Sequence, residues 1–295
     1  MWSAQARASR EAACTFAPPS RARPRAVVAT VEEVLHSSEH RRVVRVGNTV
    51  RRTVYPWSPS VHRLLEHLEQ VGFPFAPRFL GIDGQGREVL EFIDGIAGAE
   101  GANGPGFGAH AWAMVVPDEG LARFARLVRD FHDAVASFSP PHDSSWATGT
   151  GTPQPAEVLC HNDLGPWNVV WRDGSPVGII DWDYAGPAPP LDDVAYAIWW
   201  SLPFASDEEC VVWRRFPAPP DRRHRLEVFA VAYGLDRIDG LVEAVIVRQH
   251  KFRSLVLDLA ARGDPGSMEE VASGYLDTVD AWIHWSTTNR ALIER

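Results

Sequence analysis

The stretch VLCHNDLGPWNVVW, residues 158–171, carries the strongest signal in this 295-residue sequence. Its apolar ends predict two strands, and the polar loop between them places Asp163 five residues before Asn168. A tight turn follows, and the stretch VGIIDWD, residues 177–183, predicts a third strand that ends at Asp181. Because the loop opens into a buried strand, we expect the side chains of Asp163, Asn168 and Asp181 to face one point.

These side chains suit Mg²⁺, which takes oxygen ligands from one or two protein side chains and fills the rest with phosphate and water. Asp163 would accept or orient a hydroxyl proton while the metal neutralises charge on a transferring phosphoryl group. Each residue alone has an ordinary explanation, since a lone loop Asp is usually a turn or cap residue. His161 is more readily a buried histidine that holds loop backbone than a base or ligand. The combination H-x-D-x₄-N, a turn and D-x-D is what favours phosphoryl transfer.

Residues 27–93 predict a small antiparallel sheet with one main helix. Ser58 or Ser60 is the predicted cap of that helix, whose apolar residues recur at helical spacing before Gly72. Alternating polarity and glycine-containing turns indicate four strands. The first covers residues 42–46, the second runs through Val50, and the other two cover residues 78–84 and 88–93.

Residues 94–295 predict a larger, mostly helical lobe. Glycine and alanine dominate its first part, which predicts a flexible insertion at about 96–118. The GPGFG run at 104–108 does not predict a phosphate loop, because no apolar strand precedes it and no GK[ST] follows. Beyond it, apolar residues at steps of three and four from Leu121 predict an amphipathic helix. The predicted fold class is therefore α+β, with two lobes.

At these motifs the chain resembles the aminoglycoside phosphotransferase and choline kinase-like family, whose fold is that of the protein kinases. HNDLGPWN, residues 161–168, is similar to the catalytic loop of that family, and IIDWD, residues 179–183, to its metal-binding segment. Further likenesses lie in the strand residues 46–51, the hinge at 89–95, the helix at 131–133 and the DVA at 193–195.

The resemblance implies Mg²⁺-dependent transfer of the γ-phosphate of ATP or GTP to a hydroxyl of a small molecule. Asp163 would be the catalytic base, Asn168 and Asp181 would hold the Mg²⁺, and Asp183 would support the metal site. Asp193 would stabilise the catalytic loop. The lobe at 27–93 would bind the nucleotide and the lobe at 94–295 the acceptor, so the chain would be a transferase.

The nucleotide contacts depart from the pattern of the family. Backbone groups near Glu91 and Ile93 would meet the adenine or guanine ring. The family usually places a lysine on a strand of the nucleotide lobe, but the one lysine here is Lys251, in the second lobe. Arg51 occupies the expected position, with Arg52 next to it, and arginine binds phosphate bidentately while staying charged.

Two further features of the nucleotide lobe are unusual. The acid that normally partners the lysine is replaced, in our alignment, by His62, with Glu66 and Glu69 one and two turns on. The expected phosphate loop at 36–40 contains no glycine. A catalytically degraded kinase-fold binding or immunity protein is therefore the alternative to an active enzyme, and nucleotidyl transfer on the same fold is a third possibility.

The composition of the chain limits the classes of partner that we expect it to bind. The net charge of −9 argues against a nucleic-acid partner, and three well-separated cysteines indicate no disulfide framework and fit a cytoplasmic location. Residues 1–26 are arginine-rich and are expected to be a disordered tail, and no apolar run is long enough to span a membrane. Nothing in the sequence predicts the oligomeric state.

The expected acceptor is a small molecule, with an aminoglycoside as the first choice and choline-like or sugar metabolites behind it. Candidate acidic and aromatic residues on that side are Asp192, Asp236, Asp258, Asp277, Trp199 and Trp200.

Overall fold

The computed structural model describes residues 31–37, 41–97 and 109–294, with only the backbone of residue 109. The expected tail at 1–26 lies outside the described residues. So do residues 38–40 of the expected phosphate loop and residues 98–108 of the expected insertion, which include the GPGFG run.

An antiparallel sheet forms the N-terminal part of the described chain. Its strands are Glu33–Ser37 (β1), Arg42–Val46 (β2), Thr49–Arg52 (β3), Phe79–Ile82 (β4) and Glu88–Glu91 (β5). They lie in the order β1-β2-β3-β5-β4, and β2 and β3 form the predicted hairpin, in which Val46 pairs with Thr49. Arg52 lies directly opposite Glu88 in the register of β3 and β5, so these two side chains are neighbours on one face of the sheet.

The main helix of this part is Ser58–Gln70 (α1), which packs Leu64, Leu65 and Leu68 into the core. The predicted cap was wrong, because Trp57 is the N-cap and makes no side-chain cap bond. The hydroxyl of Ser58 instead accepts a hydrogen bond from the backbone N–H of Tyr55. The hydroxyl of Ser60 accepts one from Ser145. Both serines therefore bond to backbone outside the helix.

The C-terminal part is mostly helical. Its helices are Ala109–Val115 (α2), Asp118–Val135 (α3), Pro190–Ser201 (α4), Asp207–Val212 (α5), Arg222–Tyr233 (α6), Leu241–Ala261 (α7), Pro265–Ala272 (α8), Tyr275–Thr288 (α9) and Ala291–Glu294 (α10). The sequence did not predict α2, which lies in the expected insertion and buries Trp112 and Val115. No helix in the described part of the chain is long and apolar enough to cross a membrane.

Short strand pairs lie among these helices. The strands are Ser145–Trp146 (β6), Gly149–Thr150 (β7), Val158–Cys160 (β8), Val169–Arg172 (β9), Ser175–Ile179 (β10) and Gly186–Ala188 (β11). The β9–β10 hairpin and the antiparallel pair of β8 with β11 support the loops after β8 and after β10. These loops are the two that the sequence marks as catalytic.

Gly95 fixes the connection between the two parts. It has φ 152°, and a Cβ atom there would lie 2.6 Å from the carbonyl oxygen of Trp171, so no larger residue fits. The next residue, Ile96, pairs with Trp171, and the N–H of Ile179 donates to the carbonyl of Phe75 at 2.6 Å. The sheet and the β9–β10 hairpin are thereby held against each other. This is the predicted two-lobed α+β arrangement.

Candidate active site

One buried carboxylate, Asp193 in the first turn of α4, holds the loop after β8. Its Oδ2 accepts a hydrogen bond from the N–H of His161 at 2.7 Å and its Oδ1 accepts one from Asn162 at 2.7 Å. His132 Nε2 lies 3.3 Å from the same Oδ2. Burial opposes the charge, but the hydrogen bond from His132 and those from the loop hold the pKa of Asp193 below its usual range. Asp193 is fully buried, and both of its oxygens are used to hold the loop.

His161 is a structural residue of this loop, as the sequence predicted. Its buried Nδ1 accepts a hydrogen bond from the N–H of Asp163 at 3.3 Å, and its Nε2 donates to the carbonyl of Ile180 at 3.0 Å. Burial lowers the pKa of His161, so the neutral ring can accept at one nitrogen and donate at the other. His161 thus ties the catalytic loop to the residue before Asp181.

Asp163 and Asn168 come together as predicted. The Asn168 side-chain amide donates to Asp163 Oδ2 at 2.9 Å and to its carbonyl oxygen at 2.8 Å. On the other side, the Tyr196 hydroxyl donates to Asp163 Oδ1 at 2.6 Å. Burial of the carboxyl group raises the pKa of Asp163 to about 7, and the hydrogen bond from Tyr196 opposes that rise. A carboxylate that is held at both oxygens and titrates near neutrality is suited to accept a proton.

Tyr196 is itself held in place by Arg248, a buried residue of α7. The guanidinium carbon lies 4.8 Å from the centroid of the Tyr196 ring, within the range of a cation–π contact. Arg248 Nη2 also donates to the carbonyl oxygen of Asn162 at 2.5 Å. Neither Tyr196 nor Arg248 was among the predicted residues of the site.

Asp181 and Asp183, which follow β10, share two arginines: Arg41, which directly precedes β2, and Arg52 of β3. Asp181 has φ 65°, in the left-handed region that non-glycine residues seldom adopt. Arg41 donates to both of its oxygens, from Nη2 to Oδ1 at 2.7 Å and from Nη1 to Oδ2 at 3.1 Å. Arg52 lies 3.2 Å from Asp181 Oδ1 and 2.8 Å from Asp183 Oδ1. Burial opposes the charge of Asp181, but Arg41 and then Arg52 hold its pKa below the usual range, whereas burial raises the pKa of Asp183.

Of the two arginines at the expected lysine position, Arg52 reaches the carboxylates and Arg51 does not. Arg51 donates to the hydroxyl of Thr49 at 2.5 Å and lies 3.6 Å from Asp83. Neighbouring residues of a strand point to opposite faces of the sheet, so only one of the pair can enter the site.

Arg52 forms an ion pair with Glu88, the residue opposite it on β5. Glu88 also lies 2.7 Å from His62 Nε2, so His62 does reach this cluster from α1. Glu66 and Glu69, the other helix residues considered, are exposed. The acid that partners the cationic residue therefore comes from a strand, and the sequence did not predict it.

Glu91 and Ile93 lie where β5 leads into the hinge. The Glu91 side chain pairs at the surface with Arg78 at 3.0 Å, so it is turned away from the catalytic loop. Ile93 packs against Gly178 of β10, where a Cβ atom would lie 2.5 Å from Ile93 Cδ1. Ile93 therefore adjoins the strand that leads to Asp181.

The donor set fits a Mg²⁺ ion. Asp181 and Asp183 converge on a single cationic nitrogen, Arg41 Nη2, which lies 2.7 Å from one carboxylate and 3.3 Å from the other. Asn168 uses its nitrogen for both bonds to Asp163, so its oxygen is the atom it could offer a metal. Two carboxylates and an amide oxygen are the hard ligands that Mg²⁺ prefers.

The residues predicted to contact the acceptor are paired with other side chains, buried in the core or exposed at the surface. Asp192 pairs with Lys251 at 2.7 Å and Asp258 with Arg262 at 2.8 Å. Trp199 and Trp200 are buried in the core. The remaining two, Asp236 and Asp277, are exposed.

A different acidic and aromatic cluster includes two tyrosines on which the charge of Asp163 acts. Its members are Tyr184, Tyr275, Glu270 and Asp264. Burial raises the pKa of Tyr184 and of Tyr275, and the negative charges of Asp163 and Glu270 raise both further. Burial, then the charge of Asp264, raises the pKa of Glu270 to about 7. The charges of Asp163 and Glu270 therefore both act on the two tyrosines, and the charge of Asp264 acts on Glu270.

A loop aspartate paired with an asparagine, two carboxylates after the β9–β10 hairpin and a two-lobed frame define a kinase-like protein. Residues 146–212 match the model of the phosphotransferase enzyme family. The trifolitoxin immunity protein of Rhizobium leguminosarum bv. trifolii is 36% identical over 210 residues, which are 69% of this chain and 75% of that protein. The chain belongs to the phosphotransferase enzyme family, as the motifs predicted.

Solved structures share the fold. A choline/ethanolamine kinase family protein from Mesorhizobium loti superposes with a TM-score of 0.53 at 17% identity, over 92% of this chain and 90% of that one. The GDP complex of aminoglycoside 2'-phosphotransferase-IIIa superposes with a TM-score of 0.50 at 13% identity, over 88% and 93% of the two chains. The predicted kinase-like fold is confirmed.

Proposed function

We propose that this protein transfers the γ-phosphate of Mg²⁺-bound ATP or GTP to a hydroxyl group of a small molecule, with Asp163 as the catalytic base. The observation that carries the proposal is the state of Asp163, which is fixed at one oxygen by Tyr196 and at the other by Asn168. Its pKa of about 7 makes it a better proton acceptor than an ordinary aspartate.

In this mechanism the acceptor hydroxyl donates a hydrogen bond to the Asp163 carboxylate, which orients the oxygen toward the γ-phosphorus. As the new O–P bond forms, the bond from the γ-phosphorus to the bridging oxygen of the β-phosphate breaks, Asp163 takes the proton, and ADP or GDP leaves. Asn168, Asp181 and Asp183 would hold the Mg²⁺, which when bound neutralises charge on the phosphates. Tyr196 and Asn168 keep Asp163 from rotating, so little of the binding free energy is needed to orient the base.

Arg52 supports the nucleotide side of the proposal. It takes the place that the resemblance gave to Arg51, since its guanidinium lies at the carboxylates and is anchored by Glu88. A guanidinium presents a planar fork of donors that matches two phosphate oxygens. Ile93 would line the ring of the nucleotide, and Glu91 would contribute backbone groups only.

The cluster of Tyr184, Tyr275, Glu270 and Asp264 supports an acceptor that carries amino groups, such as an aminoglycoside. A cationic amine beside Glu270 would favour ionisation of this carboxyl group, whose pKa is raised to about 7. Aromatic faces beside it would add cation–π contacts.

A kinase-fold immunity protein that binds without turnover is the second candidate. It is favoured by the 36% identity to a protein named for immunity and by arginine at the lysine position. In the third possibility, nucleotidyl transfer, the nucleoside triphosphate would lose its nucleotidyl group rather than its γ-phosphate. Analysis of the nucleotide product distinguishes all three.

The test is calorimetric titration with Mg²⁺-ATP and Mg²⁺-GTP, followed by product analysis in the presence of hydroxylated acceptors, aminoglycosides first. We expect Mg²⁺-dependent binding and release of ADP or GDP. Asp163→Asn should abolish turnover and leave nucleotide binding nearly intact, whereas Asp181→Asn should weaken both. Equal loss of binding in the two variants would contradict these roles, and binding without turnover across the acceptors would favour the immunity protein.

A further inference from the structure

Arg41 lies where a cation would bind between Asp181 and Asp183. Its Nη2 is 2.7 Å from Asp181 Oδ1 and 3.3 Å from Asp183 Oδ2, and its Nη1 donates to the second oxygen of Asp181 at 3.1 Å. Asp181 Oδ1 also accepts from Arg52 at 3.2 Å. This oxygen therefore already accepts two hydrogen bonds from guanidinium groups, which leaves no lone pair for a metal.

The net charge of the cluster indicates that a metal ion replaces Arg41 rather than binding beside it. Glu88, Asp181 and Asp183 contribute three negative charges, and Arg41 and Arg52 contribute two positive ones. A dication that replaces Arg41 brings the cluster to neutrality, whereas a dication added beside it leaves a net positive charge in a largely buried site. An unbalanced charge away from water is strongly unfavourable.

Of the two arginines, Arg41 is the one that can leave. Its side chain is 29% exposed, so the guanidinium already borders water and gains hydration when it turns outward. The Arg52 side chain is only 6% exposed and is paired with Glu88, which is almost completely buried. Departure of Arg52 would leave that buried carboxylate without its cation.

We propose that Arg41 is a resident counter-ion of the metal site, which a divalent cation must displace as it binds. The inference rests on the proposed function only in requiring a dication at Asp181 and Asp183. Its consequence is that the wild-type protein binds the free metal more weakly than the same carboxylates would without Arg41. Arg41 is then a positioning residue that keeps the two carboxylates converged before the metal arrives.

The experiment is Mn²⁺ binding to the full-length protein without nucleotide, followed by electron paramagnetic resonance of the free ion. Wild type, Arg41→Gln and Arg42→Gln are compared. Arg42 is the matched control, because it is the next residue, its side chain is 62% exposed and it lies 3.8 Å from Glu32. We expect Arg41→Gln to bind Mn²⁺ about tenfold more tightly and Arg42→Gln to stay within about twofold of wild type. Asp181→Asn should bind Mn²⁺ more weakly than wild type.

Equal or weaker Mn²⁺ binding by Arg41→Gln overturns the proposal, as does a gain of the same size in Arg42→Gln. If Arg41→Gln turns over substrate but its Mn²⁺ affinity is unchanged, the displacement of Arg41 is overturned and the proposed phosphotransfer is not. Tighter Mn²⁺ binding without turnover supports the exchange and counts against phosphotransfer. Absence of Mn²⁺ binding to every variant, with or without ATP, overturns both.

Discussion

At the scale of single residues, the environment of Asp163 determines how the proposed reaction depends on pH. An aspartate in water titrates near 3.9, but burial raises the pKa of Asp163 to about 7. The protonated form cannot accept a proton, so activity should be lost as the pH falls through 7 and should reach a plateau above it. We expect kcat/KM, which reports the free enzyme, to follow a one-proton ionisation near pH 7. An acid limb near pH 4 would contradict the assigned role of Asp163.

Tyr196 provides an independent test of the same carboxylate. Its hydroxyl stabilises the ionised form of Asp163, so Tyr196→Phe should raise the pKa of Asp163 further. The loss of one hydrogen bond of roughly 1 kcal/mol corresponds to a shift of the acid limb of about 0.5–1 pH unit upward. Activity should therefore fall more at pH 6 than at pH 9.

The matched control for this variant is Tyr233→Phe. It also removes a buried tyrosine hydroxyl, one that lies 2.8 Å from His132 Nδ1 rather than at Asp163. The acid limb of Tyr233→Phe should coincide with that of wild type. If both variants shift the limb equally, the effect comes from loosened packing and not from the bond to Asp163.

At the scale of elements, Asp193 in the first turn of α4 holds the loop after β8 by hydrogen bonds to its backbone. Asp193→Asn replaces one carboxylate oxygen with an NH₂ group, which cannot accept from the backbone N–H groups of His161 and Asn162. We expect a loss of about 2–4 kcal/mol in the free energy of unfolding, because a buried donor loses its partner. The measurement is unfolding in urea.

Asp192→Asn is the control, because Asp192 is the preceding residue and pairs with Lys251, whose side chain is 49% exposed. Such a pair contributes at most about 1 kcal/mol. If the two variants lost equal stability, Asp193 would not be the support of the loop.

The sequence predicted elements well where the signal is local and poorly where it depends on register. The strands around the catalytic loop follow from short apolar runs, and the His161 and Asn168 contacts follow from the spacing within one loop. The choice of Arg52 over Arg51 could not be predicted, because it depends on Arg52 lying opposite Glu88 in a sheet whose register the sequence leaves open. The α2 helix was missed because it follows a glycine-rich run.

Contacts between distant parts of the chain leave no local signal at all. Arg41 and Asp181 are 140 positions apart, and only the folded chain brings them together. One feature of the sequence does point to Tyr196. It lies three residues after Asp193 on α4, and residues at this spacing share a helix face. A residue on the face that meets the catalytic loop was therefore a candidate for the site.

At the scale of the whole molecule, the two lobes are expected to unfold together. One connected core includes Leu64 of α1, Trp182 between Asp181 and Asp183, and Trp282 of α9. The pairing of Ile96 with Trp171 adds a backbone link between the sheet and the β9–β10 hairpin. Separate unfolding of either lobe would break this core and this link.

Heat denaturation of the full chain should consequently show one transition, and Mg²⁺-ATP should move the whole of it upward. A ligand at 100 times its Kd stabilises the folded state by about 2.7 kcal/mol. The nucleotide would contact Arg52 from the sheet and the metal residues after β10, so the shift should require Mg²⁺ and disappear in Asp181→Asn. Differential scanning calorimetry measures both quantities. Two transitions, of which the nucleotide moves only one, would mean that the lobes unfold independently and that the nucleotide is bound by one of them alone.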